Sequence, residues 1–225
     1  GVIGMAQPPV TSTYLDTEGR CMSWSLAALL AALGIGAELI NLTGVSGSVV
    51  LDWEYWPPGD RNWQFYLHWS LAQVFNATIL AVTYLTWNRL GLPRPVLAVA
   101  GLAFLVTFAG ALWAGRDLGE TESLGLEGDL RTGGWYRYSR NPQYVCYLAA
   151  TVAFVIFSGS ALVVLMGLVY APRWLIYPLA EEPWLREQYG AAYEEYAATV
   201  PRFLGRGSLR RLTEDVSGSG RSNPD

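Results

Sequence analysis

The sequence predicts an all-α, polytopic membrane protein of about five transmembrane helices, two of them paired as a hairpin, with a cytoplasmic C-terminal helix. Three observations predict it. Of the 225 residues, 52% are hydrophobic and only 15% are charged, well under the roughly 25% charge of a soluble domain. The chain contains apolar stretches of the length that a hydrocarbon core of about 30 Å demands, roughly 20 helical residues. Ten Trp and thirteen Tyr supply amphipathic rings that favour the membrane–water boundary.

The elements follow in order. Residues 1–22 are polar and mixed, with Pro8 and Pro9, and lack the basic start and clean apolar core of a signal peptide; a flexible segment is expected there. The first span runs from Trp24 to Thr43 and contains Glu38 and Asn41. The second runs from about Trp63 to Trp87 and contains His68 and Asn76. The third, Pro95 to Ala114, carries no ionisable residue. From Tyr144 to Ala180 the chain stays apolar for roughly 37 residues, about 55 Å as one helix. That is too long for one crossing, and Ser158-Gly159-Ser160 falls where a turn is needed. A hairpin results, its second arm carrying Pro172, Arg173 and Pro178. Past Glu181, the residues Leu185, Tyr189, Tyr193, Tyr196 and Val200 recur at helical spacing, and Pro201 ends that helix. Residues 207–225 are rich in Gly, Ser and Arg and are expected to be disordered.

Every basic residue is Arg, and with five spans their distribution is lopsided. One side holds Arg20, Arg89 and Arg94. The other holds Arg61, Arg116, Arg131, Arg137, Arg140, Arg186, Arg202, Arg206, Arg210, Arg211 and Arg221. The positive-inside rule puts the second side in the cytoplasm and the amino terminus outside. A net charge of −4 excludes a nucleic-acid binder, which wants a basic face. One His and two isolated cysteines, Cys21 and Cys146, exclude a disulfide framework and a His/Cys metal cluster.

Ionisable residues inside the membrane are expensive and mark function by default. Counting along each span places Glu38 and His68 near the inner ends of the first two. Arg173 lies roughly 18 Å down the fifth. Arg140 and Asn141 enter the fourth span from the cytoplasm, and Glu181 and Glu182 leave the fifth into it. All fall at similar depth, which makes Arg173, Glu38 and His68 the candidate catalytic residues. The cluster Arg140-Asn141-Pro142-Gln143-Tyr144 with Glu181-Glu182 suits a zwitterionic cofactor carrying a cation. Arg forms bidentate pairs with carboxylates, carboxylates accept from amines and hydroxyls, and Tyr136, Tyr138 and Tyr144 offer faces to a sulfonium. The plainer reading is interfacial anchoring by Arg and Tyr, with the two glutamates favoured by a helix dipole. The connecting stretch Trp53-Glu54-Tyr55-Trp56-Pro57-Pro58 reads either as an aromatic belt or as a gate for substrate.

These residues resemble a known family. The run Gly133-Gly134-Trp135-Tyr136-Arg137-Tyr138-Ser139-Arg140-Asn141-Pro142-Gln143-Tyr144 is followed, across a hairpin, by Glu181-Glu182-Pro183-Trp184-Leu185, Tyr189-Gly190, Tyr193, Tyr196 and Val200-Pro201-Arg202. It is similar to the integral-membrane methyltransferases related to isoprenylcysteine carboxyl methyltransferase and phospholipid methyltransferase. The resemblance implies a single membrane methyltransferase domain over 23–206, with its motifs in 115–206, and S-adenosylmethionine as cofactor. It assigns cofactor contacts to Tyr136, Arg140, Asn141, Pro142, Tyr144, Glu181 and Glu182, with no metal. The implied acceptor is amphiphilic and drawn from the bilayer: an isoprenylcysteine-type carboxylate first, a phospholipid amine or small thiol as alternatives. Asn141 stands where that family usually has His, which removes a titratable group, and Cys146 replaces a frequent Gly and is expected to narrow the pocket. From other classes, a nicotinamide-dependent sterol-type reductase and a non-enzymatic membrane protein remain as alternatives.

Overall fold

The computed structural model describes residues 10–219, and among these every regular element is helical. Helix α1 spans Val10–Val50, α2 Trp63–Thr86 and α3 Arg94–Leu118. A short α4 (Glu120–Ser123) and a 3-10 turn (Gly134–Arg137) lead to α5 (Pro142–Ser158). Then come α6 (Ala161–Tyr170), α7 (Arg173–Tyr189), α8 (Ala191–Thr199) and α9 (Arg206–Ser219). Three stretches are long and apolar enough to cross a membrane: Ser23–Val50, Arg94–Leu118 and Ala161–Tyr189. Helix α5 is apolar but shorter. Helix α2 has the length but carries Gln64, His68, Gln73 and Asn76, and falls outside that set.

The helices pair in two layers, α1 against α2 and α3 against α5, with α6 and α7 between them and α1. Helix α2 starts where Asn62 caps it, its side chain accepting from Phe65 N at 3.0 Å. Its buried positions Ala72, Phe75 and Val82 recur on one face. There Phe75 and Val82 join Ala31, Val163 and Met166 in one apolar cluster. Helix α3 buries only Leu97, Ala100, Ala111 and Ala114, while Leu102, Leu105, Val106 and Trp113 are exposed, the distribution of a helix that faces lipid. The hairpin turn forms where the sequence placed it. Gly159 adopts φ +58°, a left-handed conformation that glycine takes at no steric cost. The carbonyls of Ser158 and Gly159 accept from Asn88 N and Leu90 N at 2.8 and 2.9 Å, which ties the turn to the α2–α3 connection.

Four expectations are corrected. The segment 1–22 is helical from Val10 onward, because nothing between Val10 and Glu18 breaks a helix; its first nine residues lie outside the described residues. The first span does not stop at Thr43 but continues to Val50. Gly44 and Gly47 leave room for the returning Tyr55 and Trp53 rings, which a Cβ at either position would meet at 2.5 and 2.0 Å. The helix expected from Glu181 to Pro201 is two helices: α7 runs through Pro178 and Pro183 to Tyr189, and Gly190, at φ +52°, separates it from α8. Residues 207–219, part of the stretch 207–225 expected to be disordered, belong to α9; 220–225 lie outside the described residues. Ser208 Oγ donates to the Tyr138 carbonyl at 2.6 Å, and Asp215 pairs with Arg137 at 2.6 Å, tertiary bonds that composition alone does not reveal.

Close helix approach at Gly34 generates the first prediction. A Cβ there would lie 2.2 Å from Thr78 Oγ1 and 2.8 Å from Met166 Cε. Thr78 cannot easily rotate away, since its hydroxyl donates to the Val74 and Phe75 carbonyls. Gly34→Leu should therefore lower stability by about 1–3 kcal/mol, the usual cost of overpacking, read as thermal unfolding in detergent. Gly36 has nothing within 4 Å, so Gly36→Ala should be neutral or stabilising by up to about 1 kcal/mol.

Candidate active site

Two cavities meet at the end of the bundle where α3 and α7 finish and α5 begins. The first is narrow, about 90 Å³, and carries most of the charged side chains. Tyr136, Arg140, Asn141, Tyr144, Glu181 and Glu182 all line it, although they come from the 3-10 turn, the start of α5 and the second half of α7. Six of the seven residues assigned to a cofactor thus converge. The seventh, Pro142, opens α5 as its first residue and does not line the cavity.

The two adjacent glutamates do different things. Glu182 is buried and faces three guanidinium groups: Arg140 at 3.1 Å, Arg202 at 2.6 and 2.7 Å through two hydrogen bonds, and Arg186 at 3.6 Å. Its bond raises the Arg202 guanidinium above its ordinary value. Glu181 faces the cavity instead, and its Oε1 accepts from Trp56 Nε1 at 2.8 Å and from the Tyr144 hydroxyl. Both donors share one oxygen, which leaves Oε2 outside those bonds.

Arg140 also donates to the Tyr193 hydroxyl at 3.2 Å. Its Nε is buried without a hydrogen-bond partner among the described residues, an uncommon state for a buried donor and the one a bound carboxylate would relieve. Asn141 donates through its side chain to the Arg202 carbonyl at 3.0 Å, and Arg140 N donates to the Pro201 carbonyl at 2.9 Å. The Val200-Pro201-Arg202 segment is therefore strapped across the start of α5. Tyr196 donates to the Tyr136 carbonyl at 2.7 Å. Burial pushes the Tyr136 phenol well above its usual value, with the nearby Glu181 adding to it, and burial raises Tyr196 as well. Both stay neutral, as ring faces and hydroxyl donors.

The second cavity is wide, about 730 Å³, and mainly apolar, with Leu80, Phe104, Phe108, Leu112 and Phe154 among its walls. It lies between α2 on one side and α3 and α5 on the other. His68, Trp56, Arg173 and Tyr177 line its polar end. Ser123, Gln143 and Tyr144 line both cavities, so the two are neighbours across a shared wall.

The three candidate catalytic residues come together at that polar end, though Glu38 does not line either cavity. Arg173 Nε lies 3.0 Å from Glu38 Oε1, with both side chains buried, and the guanidinium sits over the Tyr170 and Tyr177 rings at 5.0 Å. His68 stacks on Trp56 with ring centroids 4.3 Å apart, and its Nε2 is 3.4 Å from the Tyr177 hydroxyl. Two further expectations are settled by this geometry. Anchoring of Arg140, Tyr136 and Tyr144 at a lipid interface does not fit side chains that turn inward around a cavity. Cys146 lines neither cavity and packs on α3, 3.3 Å from the place of a Gly110 Cβ, so it does not narrow the pocket.

Sequence reasoning missed Trp56, Tyr177, Tyr193 and Arg202 as parts of the site. Trp53 and Trp56 look alike in the sequence, yet Trp53 is 49% exposed and Trp56 only 4%. The distinguishing signal is Ser48, whose Oγ accepts from the backbone N–H of both Tyr55 and Trp56 at 3.1 and 3.0 Å. The Trp53–Pro58 stretch bridges α1 and α7 through Ser48 and Glu181, with Trp56 buried and Trp53 half exposed.

Two adjoining cavities, one bearing charged side chains and one mainly apolar, thus lie among apolar helices. Residues 96–192 match the family model of phospholipid methyltransferase. The match runs from the start of α3 to the first residues of α8 and covers less than half of the chain. Over that stretch the chain is similar to a family of lipid-acting methyltransferases, which with its apolar helices marks an integral membrane protein. No curated protein and no solved structure matches the chain. Glu38, Trp56, His68 and Arg202 lie outside the matched stretch, so their place in the site rests on this chain's own geometry.

The Glu38–Arg173 pair yields a separable prediction. Removing one partner of a buried ion pair commonly costs about 3–5 kcal/mol, whereas replacing both is often neutral. Arg173→Met alone should lower thermal stability strongly, and Glu38→Gln with Arg173→Met should recover most of the loss. A double variant as unstable as the single would show that Arg173 is held by its ring contacts and not by Glu38.

Proposed function

We propose that the protein transfers a methyl group from S-adenosylmethionine to the polar end of an amphiphile seated in the apolar cavity. The observation that carries this reading is the shared wall of Ser123, Gln143 and Tyr144, along which the cavity with the charged rim adjoins the cavity with the apolar wall. Catalysis by juxtaposition needs little more than that, since positioning alone can supply much of the barrier reduction.

The residues of the polar cavity fit the cofactor's chemistry. Arg140 has an unsatisfied Nε for a carboxylate, Glu181 has an oxygen available for an ammonium or ribose hydroxyl, and Tyr136, Tyr144 and Tyr193 offer ring faces to a sulfonium. Bound there, S-adenosylmethionine would supply an activated methyl group. At about 90 Å³ the cavity is smaller than the roughly 300 Å³ and more typical of ligand sites, so its Gly125–Arg131 wall has to move outward on binding. The bonds that would have to shift include Tyr189 hydroxyl to the Gly128 carbonyl at 2.8 Å and Glu127 N to the Gly59 carbonyl at 3.0 Å.

On the acceptor side, Arg173 and His68 face the cavity while Glu38 stands behind Arg173. A guanidinium at the polar end of an apolar cleft suits an isoprenylcysteine-type carboxylate, oriented by Arg173 and needing no strong base. A phospholipid amine is the second reading, favoured by the family match; it would have to lose a proton, and His68, with Nδ1 unpartnered among the described residues, is the group to take it. Glu38 then acts on position alone, by holding Arg173.

Isothermal titration with S-adenosylhomocysteine tests the cofactor half. Glu181→Gln and Arg140→Ala should each weaken binding by about ten- to a hundred-fold, the cost of a lost charge-assisted contact of about 1.5–3 kcal/mol, without loss of fold. Unchanged affinity in both, or tighter binding of NADPH than of S-adenosylhomocysteine, would sink the reading in favour of a reductase. A screen with radiolabelled methyl donor over isoprenylcysteine, phospholipid, thiol and sterol acceptors then separates the acceptor classes.

The reading also places the site on the cytoplasmic face, with five crossings and an outside amino terminus, supported by the arginine asymmetry. Single cysteines at Gly159 and Gly207 should then label from opposite sides of sealed vesicles. Labelling of both from one side would refute the five-span arrangement.

A further inference from the structure

Among the described residues, three tryptophans line the apolar cavity: Trp56, Trp69 and Trp174. An indole N–H can donate and do nothing else, and two of the three have an acceptor. Trp56 Nε1 donates to Glu181 at 2.8 Å, and Trp174 Nε1 donates to Thr151 Oγ1 at 3.1 Å. Trp69 Nε1 is buried and has no hydrogen-bond partner among the described residues. A buried donor in that state is uncommon and costs free energy until an acceptor reaches it.

Helix α2 does not supply one. Gln64 Oε1 is also buried and unpaired, but five residues before Trp69 it lies about 140° away around the helix. The Trp69 ring is held between two others, 6.4 Å from Phe65 and edge-on to His68 at 5.5 Å, centroid to centroid.

A second unpaired donor stands at the same end of the cavity. Arg173 Nη2 is buried with no hydrogen-bond partner among the described residues, while Glu38 holds the Nε side at 3.0 Å. The two donors are joined by a short row of rings. His68, beside Trp69, lies 5.6 Å from Tyr177, and the guanidinium sits over the Tyr177 ring at 5.0 Å. One donor thus comes from α2 and the other from α7. A guanidinium, like an indole, only donates. A ligand that satisfies both must bring several lone pairs, and negative charge to suit the guanidinium. An ammonium brings no lone pair, and a thiol accepts weakly. A carboxylate or a phosphate has what is needed.

We propose that Trp69 and Arg173 form an oxyanion seat at the head of the apolar cavity, with Trp69 a further binding residue for the acceptor. The inference rests on the reading of this cavity as the acceptor's, and it narrows the acceptor to amphiphiles with an anionic oxygen group at the polar end. That group has two sources, a carboxylate on the acceptor or the phosphate of a phospholipid. In the second case the phosphate is gripped and the amine is left to extend toward the wall at Tyr144.

The test uses the full chain in neutral maltoside micelles, with isotope-labelled tryptophan for NMR. Four probes are added in the same micelles: dodecanoate, dodecyl phosphate, dodecanol and dodecylammonium. The Trp69 indole resonance, identified by its loss in Trp69→Phe, should move downfield with an anionic probe and stay in place with the other two. By calorimetry, Trp69→Phe, which keeps a ring and removes the N–H, should weaken anion binding about tenfold and leave dodecanol unchanged. A larger effect on dodecyl phosphate assigns the seat to a phospholipid phosphate, and a larger effect on dodecanoate assigns it to a carboxylate. An indole resonance that stays in place, or moves as far with dodecanol, would overturn the proposal, as would anion affinity untouched by Trp69→Phe. Failure of all four probes to bind the unaltered protein would overturn the acceptor cavity itself and the seat with it. No methyl donor is present, so the outcome does not depend on methyl transfer.

Discussion

One carboxylate organises the end of the molecule at which α5 begins. Glu182, buried near the middle of α7, meets Arg140 just before α5 and Arg202 beyond α8, which are far apart in the chain. A lone carboxylate in that position would be costly, and a lone guanidinium equally so; held together, with the partly exposed Arg186 as a third cation, they join three segments of the chain. The backbone follows the charges. Arg140 N and the Asn141 side chain bond the carbonyls of Pro201 and Arg202, and Ser139 Oγ donates to the Arg202 carbonyl at 3.2 Å. Without this knot the polar cavity would have no roof.

The adjacent glutamate is thereby freed for other work. Consecutive residues of an α-helix point about 100° apart, so a carboxylate pair in sequence cannot serve one site symmetrically. Here Glu182 turns to the arginines and Glu181 to the cavity, where Trp56 and Tyr144 hold one of its oxygens. Trp56 in turn stacks on His68. A chain of contacts therefore runs from the polar rim through Glu181 and Trp56 to His68, Tyr177 and Arg173 at the head of the apolar cavity. Both chambers are thus walled in part by the same few side chains.

The apolar helices, the hairpin turn and the convergence of the Arg140 and Glu181 motifs were legible in the sequence, because each rests on local signals. Span length, a Gly between serines and an ordered pair of motifs around a hairpin are all readable in one dimension. What was not legible depends on the third. That Glu182 and not Glu181 takes the arginines follows from helix phase through Pro183. The return of the Trp53–Trp56 stretch onto α1 depends on a hydroxyl at Ser48 and on Gly44 and Gly47, which leave room for the Tyr55 and Trp53 rings. The helicity of 206–219, hidden beneath a composition of Gly, Ser and Arg, depends on carbonyls of the 3-10 turn. Gly190 was visible as a potential break, but helical spacing on either side of it masked the change of direction between α7 and α8.

The placement of Arg173 illustrates how such a site tolerates an intramembrane charge. The guanidinium is offset by Glu38 on one side and by aromatic faces at 5.0 Å on two others. Burying either ion alone would be prohibitive, so each span contributes one partner, α1 the anion and α7 the cation. The pair consequently locks α1 against α7 near the second apolar cluster, formed by Val45, Tyr55, Trp56, Tyr177 and Ala180. Because Glu38 lies behind Arg173 and outside the cavity, the positive member is the one presented to whatever enters. The same interaction that stabilises the helix packing thus sets the sign of the field at the head of the apolar chamber, and a neutral pair of similar size could preserve the packing while abolishing the field.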